Sequence, residues 1–230
     1  MNPRLAFALA VLVACAAAAV LGVSLAARGD GGGARAAASA GTGWAGALRP
    51  PGLPPQDFDL RDQDGKPASL AAYRGQVVIL AFMYSTCEDT CPLQAQTIKG
   101  ALDDLGHELP VLAVSVDPAD DTPARARRFL VKQGMTGRMR FLLGTRAQLA
   151  PVWKAYAIQP QGADFEHSAY VLLIDRQGRQ RVGHPAEEMT SDGLVHDLRR
   201  LEGEGARAQA VAAKPASDAS AASARSSAAR

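Results

Sequence analysis

Two cysteines with three residues between them, in the segment Cys87-Glu88-Asp89-Thr90-Cys91-Pro92, are the residues of this chain best placed to do chemistry. Two thiols at that spacing can close to a disulfide or hold a soft metal ion. Residues 77–83, just before them, are apolar, β-branched at the start and free of charge, which predicts a strand buried on both faces. Pro92 suits the first turn of a helix, where no backbone N–H is needed and a fixed φ helps. Both cysteines therefore fall in a turn from a central strand into a helix, whose positive end favours thiolate over thiol. There both sulfurs can face one small ligand.

A third candidate is His167, which follows the polar stretch 157–166 and stands at the start of the apolar run 168–174. An imidazole at a strand edge can point at the same turn from across the fold. Two thiolates with one imidazole suit Cu(I) and can also hold Cu(II), whereas zinc normally wants a fourth ligand. Met83, Met135, Met139 and Met189 form no cluster and predict packing, and His107, His184 and His196 do not converge with the cysteines. A purely structural disulfide is a poor account of the pair, because so short a loop gains little from closure.

The elements that must position these residues follow from periodicity and turn chemistry. Phe58 and Leu60, then Asp64-Gly65, then the run 68–70 predict a hairpin turning at Asp-Gly. After the cysteines, Leu93, Ile98, Leu102 and Leu105 predict one apolar helix face ending near Gly106. Residues 111–116 form a second buried strand, and Asp121-Thr122-Pro123 starts a helix that runs to about Gln133. A short strand over 140–143, a helix over 145–156 that Pro151 kinks or breaks, a strand over 168–174 with a hairpin partner at 180–182, and a helix over 191–201 complete the series. Strands alternating with helices, then a terminal hairpin and helix, predict an α/β fold: a thioredoxin-like mixed sheet flanked by helices. The cysteines lie at the carboxyl end of a strand, where open α/β sheets place their sites.

The 230 residues hold one domain plus extensions, at 57–202. Residues 5–27 carry no charge and are long enough to span a bilayer, so 1–28 is an N-terminal membrane anchor or signal. Leu12-Val13-Ala14-Cys15 also has the pattern of a lipoprotein cleavage site, so lipidation of Cys15, or cleavage and secretion, is the alternative. Glycine, alanine and proline make 29–56 a flexible linker, with Trp44 its one aromatic residue, and 203–230 lacks an apolar period and reads as a disordered tail. A formal net charge of +2 and 5% aromatic residues exclude a nucleic-acid surface. Arg125, Arg127 and Arg128 read as a solvated helix face.

In combination, Tyr84-Ser85-Thr86-Cys87 with Cys91-Pro92, Ser115-Val116-Asp117-Pro118 with Asp121-Thr122-Pro123, and Asp164-Phe165-Glu166-His167-Ser168 resemble the Sco (SenC) family, in family order. The resemblance covers about 57–201. It implies a thioredoxin-like fold, a single-pass inner-membrane anchor with the domain facing the periplasm, and copper held by Cys87, Cys91 and His167. It also implies a partner, the copper-binding subunit of cytochrome c oxidase or another exported acceptor, to whose binuclear centre copper is delivered or whose cysteines are reduced. In the second case Cys87 and Cys91 are catalytic thiols of a thiol-disulfide reductase. Asp117 is placed near the site as a supporting residue rather than a ligand. Many members have proline directly after the first cysteine; here Glu88 stands there, and its carboxylate favours cation binding and disfavours thiolate. A thioredoxin-type enzyme has two residues between its cysteines rather than three. A peroxiredoxin has threonine where Glu88 stands relative to Cys91.

Overall fold

The computed structural model describes residues 43–162 and 169–213. The expected anchor with Cys15, the first half of the expected linker, His167 with the rest of 163–168, and 214–230 lie outside the described residues. The chain divides into two units at Gly43 and Trp44, and the second is described here.

Among the described residues the strands are β1 (Ala47–Leu48), β2 (Asp59–Asp62), β3 (Pro67–Ser69), β4 (Val78–Met83), β5 (Val111–Ser115), β6 (Met139–Leu143), β7 (Tyr170–Ile174) and β8 (Gln180–Pro185). The helices are α1 (Thr90–Leu105), α2 (Pro123–Lys132), α3 (Arg146–Tyr156) and α4 (Ser191–Ala213). The strands form one mixed sheet in the order β1-β8-β7-β4-β5-β6-β2-β3, with β4 parallel to β5 and antiparallel to β7. Every residue of β4 is buried, and side-chain parity divides them. Ile79, Ala81 and Met83 join Cys91, Ile98 and Leu102 of α1, Phe129 of α2 and Leu198 of α4 in one core. Val78, Leu80 and Phe82 join Leu149, Trp153 and Tyr156 of α3 and the β2–β3 hairpin in the other.

Most boundaries follow the local signals. Gly65 at the hairpin turn has φ 77° and Gly106 closes α1 at φ 81°, a left-handed conformation that glycine adopts without a Cβ penalty. Thr122 caps α2 through a hydrogen bond from the Arg125 N–H, and Thr145 forms a capping box with Gln148 at α3. Pro151 neither breaks nor ends α3. The carbonyl it leaves free belongs to Ala147, an exposed residue that water can serve.

Three expectations need correction. Leu93 is not on the buried face of α1 but is 60% exposed. It lies five residues before Ile98, about 140° around the helix, whereas Cys91, Gln94 and Ala95 hold the inward positions. Helix α4 does not stop near Leu201 but continues to Ala213, because alanine-rich sequence sustains a helix without an apolar stripe and Arg181 pairs with Glu204 at 2.8 Å. The stretch read as linker is ordered from Trp44: its indole is buried, with the Arg200 guanidinium 4.3 Å from the ring centroid, and β1 pairs with β8.

That strap is fixed by Asp197 on α4. Its fully buried carboxylate accepts the Ala45 and Gly46 N–H groups at 2.8 and 2.9 Å and meets His196 Nδ1 at 2.9 Å. His184 Nε2 lies 3.1 Å away, bent off hydrogen-bond linearity. Burial alone pushes this carboxyl up, but His184, the two backbone donors and His196 together hold it down to about 2 from 3.8. A depressed carboxylate pKa contributes stability above 3.8 that is lost as pH falls through about 2. Asp197→Ala is expected to lower urea stability by about 2 kcal/mol, through orphaned donors, and to flatten that acid limb. An unchanged acid limb would show that the clamp is not formed in solution.

Candidate functional site

The two cysteines occupy one turn but unlike surroundings. Cys91 lies in the first turn of α1, fully buried among Met83, Ile98 and Ala95. Cys87, half-buried, lies just before the helix at the edge of that core. No side chain caps α1 at Asp89. The Cys91 backbone N–H, one of the helix's unpaired donors, is instead donated to Cys87 Sγ at 3.3 Å. The sulfur therefore serves as the anion at the positive end of the helix.

This placement separates the two acidities. Cys87 is pulled down to about 5, first by a hydrogen bond from the Cys91 thiol, against the cost of burial, then by the Cys91 and Asp89 N–H groups and Tyr84. Cys91 is pushed up, first because its proton is held in the bond to Cys87 and next by burial, with a smaller push from the Asp121 charge. Thiolate is thus favoured at one sulfur and disfavoured at the other, although the helix end had suggested lowering both. Glu88 is exposed and does not undo the Cys87 thiolate.

Asp121 is the residue that sequence reasoning missed here. Its Oδ1 accepts the Ser85 N–H at 2.7 Å and the Ser85 hydroxyl at 2.5 Å, and its Oδ2 accepts the Ser115 hydroxyl at 2.5 Å. Ser115 O in turn accepts the Trp153 indole N–H at 2.9 Å. The carboxylate so ties the turn carrying Cys87 to the end of β5. Burial pushes its pKa up against the two serines. The only sequence signal was the block 121–123, which read as a helix cap, a task that Thr122 performs. Asp117, expected to support the site, does so through its backbone, accepting the Asp120 and Asp121 N–H groups.

A cleft of about 300 Å³ opens at Cys87, bounded by Thr86, Glu88 and Pro92 and, from α2, by Arg125, Arg128 and Lys132. Buried Phe129 and Gln133 also line it. Among the described residues no group of three or more His, Cys, Asp or Glu side chains is arranged to hold a metal. His167, the expected third ligand, lies outside them. His107 pairs with Glu202, His184 and His196 with Asp197, and Met83, Met135, Met139 and Met189 are buried. Gln94, one turn after Cys91, is fully buried, and neither end of its amide meets a hydrogen-bond partner among the described residues.

The family model SCO1/SenC matches residues 49–202. The bovine protein "SCO2 homolog, mitochondrial" is 31% identical over 145 residues, which span 57% of this chain and 54% of that one. The chain thus spans about half the length of this curated relative. The Bradyrhizobium japonicum ScoI structure with copper bound is 27% identical, covering 64% of this chain and 99% of that one at a TM-score of 0.55. Yeast Sco1 is 22% identical, with 66% and 99% covered at a TM-score of 0.59, and its likeness establishes the thioredoxin-like fold.

The unequal acidities make a measurable expectation. Alkylation by iodoacetamide should modify Cys87 ahead of Cys91 at neutral pH, with a rate that falls only as pH drops through about 5. Cys91→Ala removes the thiol donor and should move that midpoint upward toward the ordinary thiol range. Equal labelling of both sulfurs with a midpoint above pH 8, by mass spectrometry, would contradict the shared-proton arrangement.

Proposed function

Because the chain belongs to the SCO1/SenC family, we propose that it is a membrane-tethered copper chaperone, holding the ion through Cys87, Cys91 and His167 and delivering it to the binuclear copper centre of cytochrome c oxidase. The observation that carries the proposal is the sulfur pair itself. One sulfur is already favoured as thiolate at the mouth of a cleft, and a second lies one helical step deeper. Soft anionic sulfur prefers copper over harder ions, and the copper-bound ScoI structure, 27% identical, supports the same cargo here. His167 enters as third ligand from the block Asp164-Phe165-Glu166-His167-Ser168. The uncharged run 5–27 supports a single-pass inner-membrane anchor with the domain in the periplasm, and Cys15 offers lipidation as the other form of tether.

A second reading rests on the same asymmetry. A half-exposed thiolate above a buried thiol is the arrangement of a nucleophile and its resolving partner. Cys87 would attack a protein disulfide, forming a mixed disulfide and releasing one substrate thiolate. Cys91 Sγ would then attack Cys87 Sγ, closing a Cys87–Cys91 disulfide and displacing the second substrate sulfur; the Cys91 proton passes to a released thiolate, and the two electrons given up in total by the cysteine pair leave the substrate reduced. This is thiol-disulfide reduction on an oxidase subunit or another exported protein.

Anaerobic titration of the reduced protein with Cu(I) separates the two. One ion should bind per chain. Because Cys87 is thiolate above about pH 5 while Cys91 keeps its proton, binding near pH 7 should release about one proton, so affinity rises about tenfold per pH unit. His167→Ala should weaken retention while leaving disulfide exchange intact, and Cys87→Ser or Cys91→Ser should remove both. Unchanged affinity in His167→Ala would sink the three-ligand site and put the reductase first.

A further inference from the structure

Helix α2 carries its charge against its own interest. Arg125, Arg127, Arg128 and Lys132 are its charged residues, and its first turn holds Arg125 and no acid, so the end that favours negative charge carries a cation instead. Arg128 and Lys132 are also a like-charged pair four residues apart, which destabilises an isolated helix. Arg125 and Arg127 have carboxylate partners, at Asp120 and Asp64. Arg128 and Lys132 are exposed, and neither side chain makes an ion pair or hydrogen bond among the described residues. These two, with Arg125, line the same cleft as Cys87, where Glu88 is the one acid. Beside it, Leu93 directly follows Pro92 and is 60% exposed, one of three large apolar side chains left open on the described surface.

We propose that this cationic cleft is the docking surface for an acidic polypeptide segment of the protein that exchanges copper or electrons with Cys87. The inference rests on the function given above and adds the chemistry by which the partner is recognised. Charge complementarity selects an acidic occupant, since the lining carries three cations against one carboxylate. Concavity selects a chain segment over a lipid surface: the cations share a recess of about 300 Å³ with the sulfur, which a flat bilayer does not enter. Acidic side chains seated on Arg128 and Lys132 would bring their own backbone across the mouth of the cleft toward Cys87, with Leu93 as apolar rim.

The full-length protein in nonionic detergent tests this with two dye-labelled synthetic peptides, one with glutamates flanking a single serine in place of cysteine, the other with glutamines in their place. Fluorescence anisotropy at low salt should show the glutamate peptide binding about tenfold tighter, a preference that salt erodes. Arg128→Glu with Lys132→Glu should abolish it, and Arg128→Gln with Lys132→Gln should reduce it; both positions are exposed, so the fold does not depend on them. Equal binding of the two peptides by the wild type, or a preference unmoved by charge reversal, overturns the proposal. So does attraction to phosphatidylglycerol-doped micelles in the absence of any peptide preference. Copper titration of the same preparations keeps the two readings apart. Copper held with no peptide preference overturns only the docking surface. Peptide preference without copper supports the surface and removes the cargo assigned to it.

Discussion

The difference in solvation between Cys91, anchored in the apolar core, and Cys87, stopping at its edge, governs what the site can do. A proton shared by two sulfurs goes to the one for which charge is dearer, and burial makes that Cys91. The bond it then donates stabilises charge on Cys87, which the helix end also favours through the Cys91 N–H. Neither half works alone: a buried pair would stay doubly protonated, and an exposed pair would titrate near the ordinary thiol range. The strand buried on both faces is what makes the asymmetry possible, because it brings the chain out of the core at Met83 and returns it to the core within one turn of helix.

Such a turn needs support, since its backbone leaves the sheet. Asp121 supplies it, joining Ser85 to Ser115 and, through Ser115 O, to Trp153 on the opposite face of the sheet. The arrangement has an electrostatic consequence. A carboxylate near the sulfur pair raises Cys91 further and so deepens the division of labour between the thiols. A neutral residue of similar shape would hold the turn yet narrow that difference. Positioning and tuning are thus done by one group, placed by the parallel pairing of β4 with β5.

What was legible in the sequence was whatever local rules decide. The apolar run 77–83 could hardly be other than a central strand, and Gly106, Gly65 and Thr122-Pro123 mark boundaries through φ and capping chemistry. The cysteine spacing and Pro92 placed the pair at a helix start, which the structure shows. What was not legible depends on contacts far apart in the chain. Asp121 meets Ser85 across 36 residues and Asp197 meets Ala45 across 152, and neither acid has a local pattern that names its partner. Leu93 was misread because hydrophobicity was taken as proof of an inward position, whereas the helical phase set by Cys91 and Ile98 turns it outward.

Departures from good packing practice are concentrated on the helices around this turn, and their kinds differ. Gln94 is buried with both ends of its amide unpaired among the described residues, at a cost of roughly 1–3 kcal/mol. Helical side chains lean toward the N-terminus, so the amide leans toward the turn that carries Cys91. Orphaned atoms also occur at Arg49, Arg176 and Gln180, so an unpaired group alone does not mark a site. The marker is coincidence. A buried thiol with a raised pKa, an unsatisfied amide one turn on, an outward leucine and a helix with a cation but no acid in its first turn are four separate costs met on α1 and α2. Each is of a kind that a bound ion or an acidic chain relieves. Sequences that are consistent elsewhere tolerate such conflicts where function repays them, which makes the pattern an argument for this end of the sheet as the working face of the molecule.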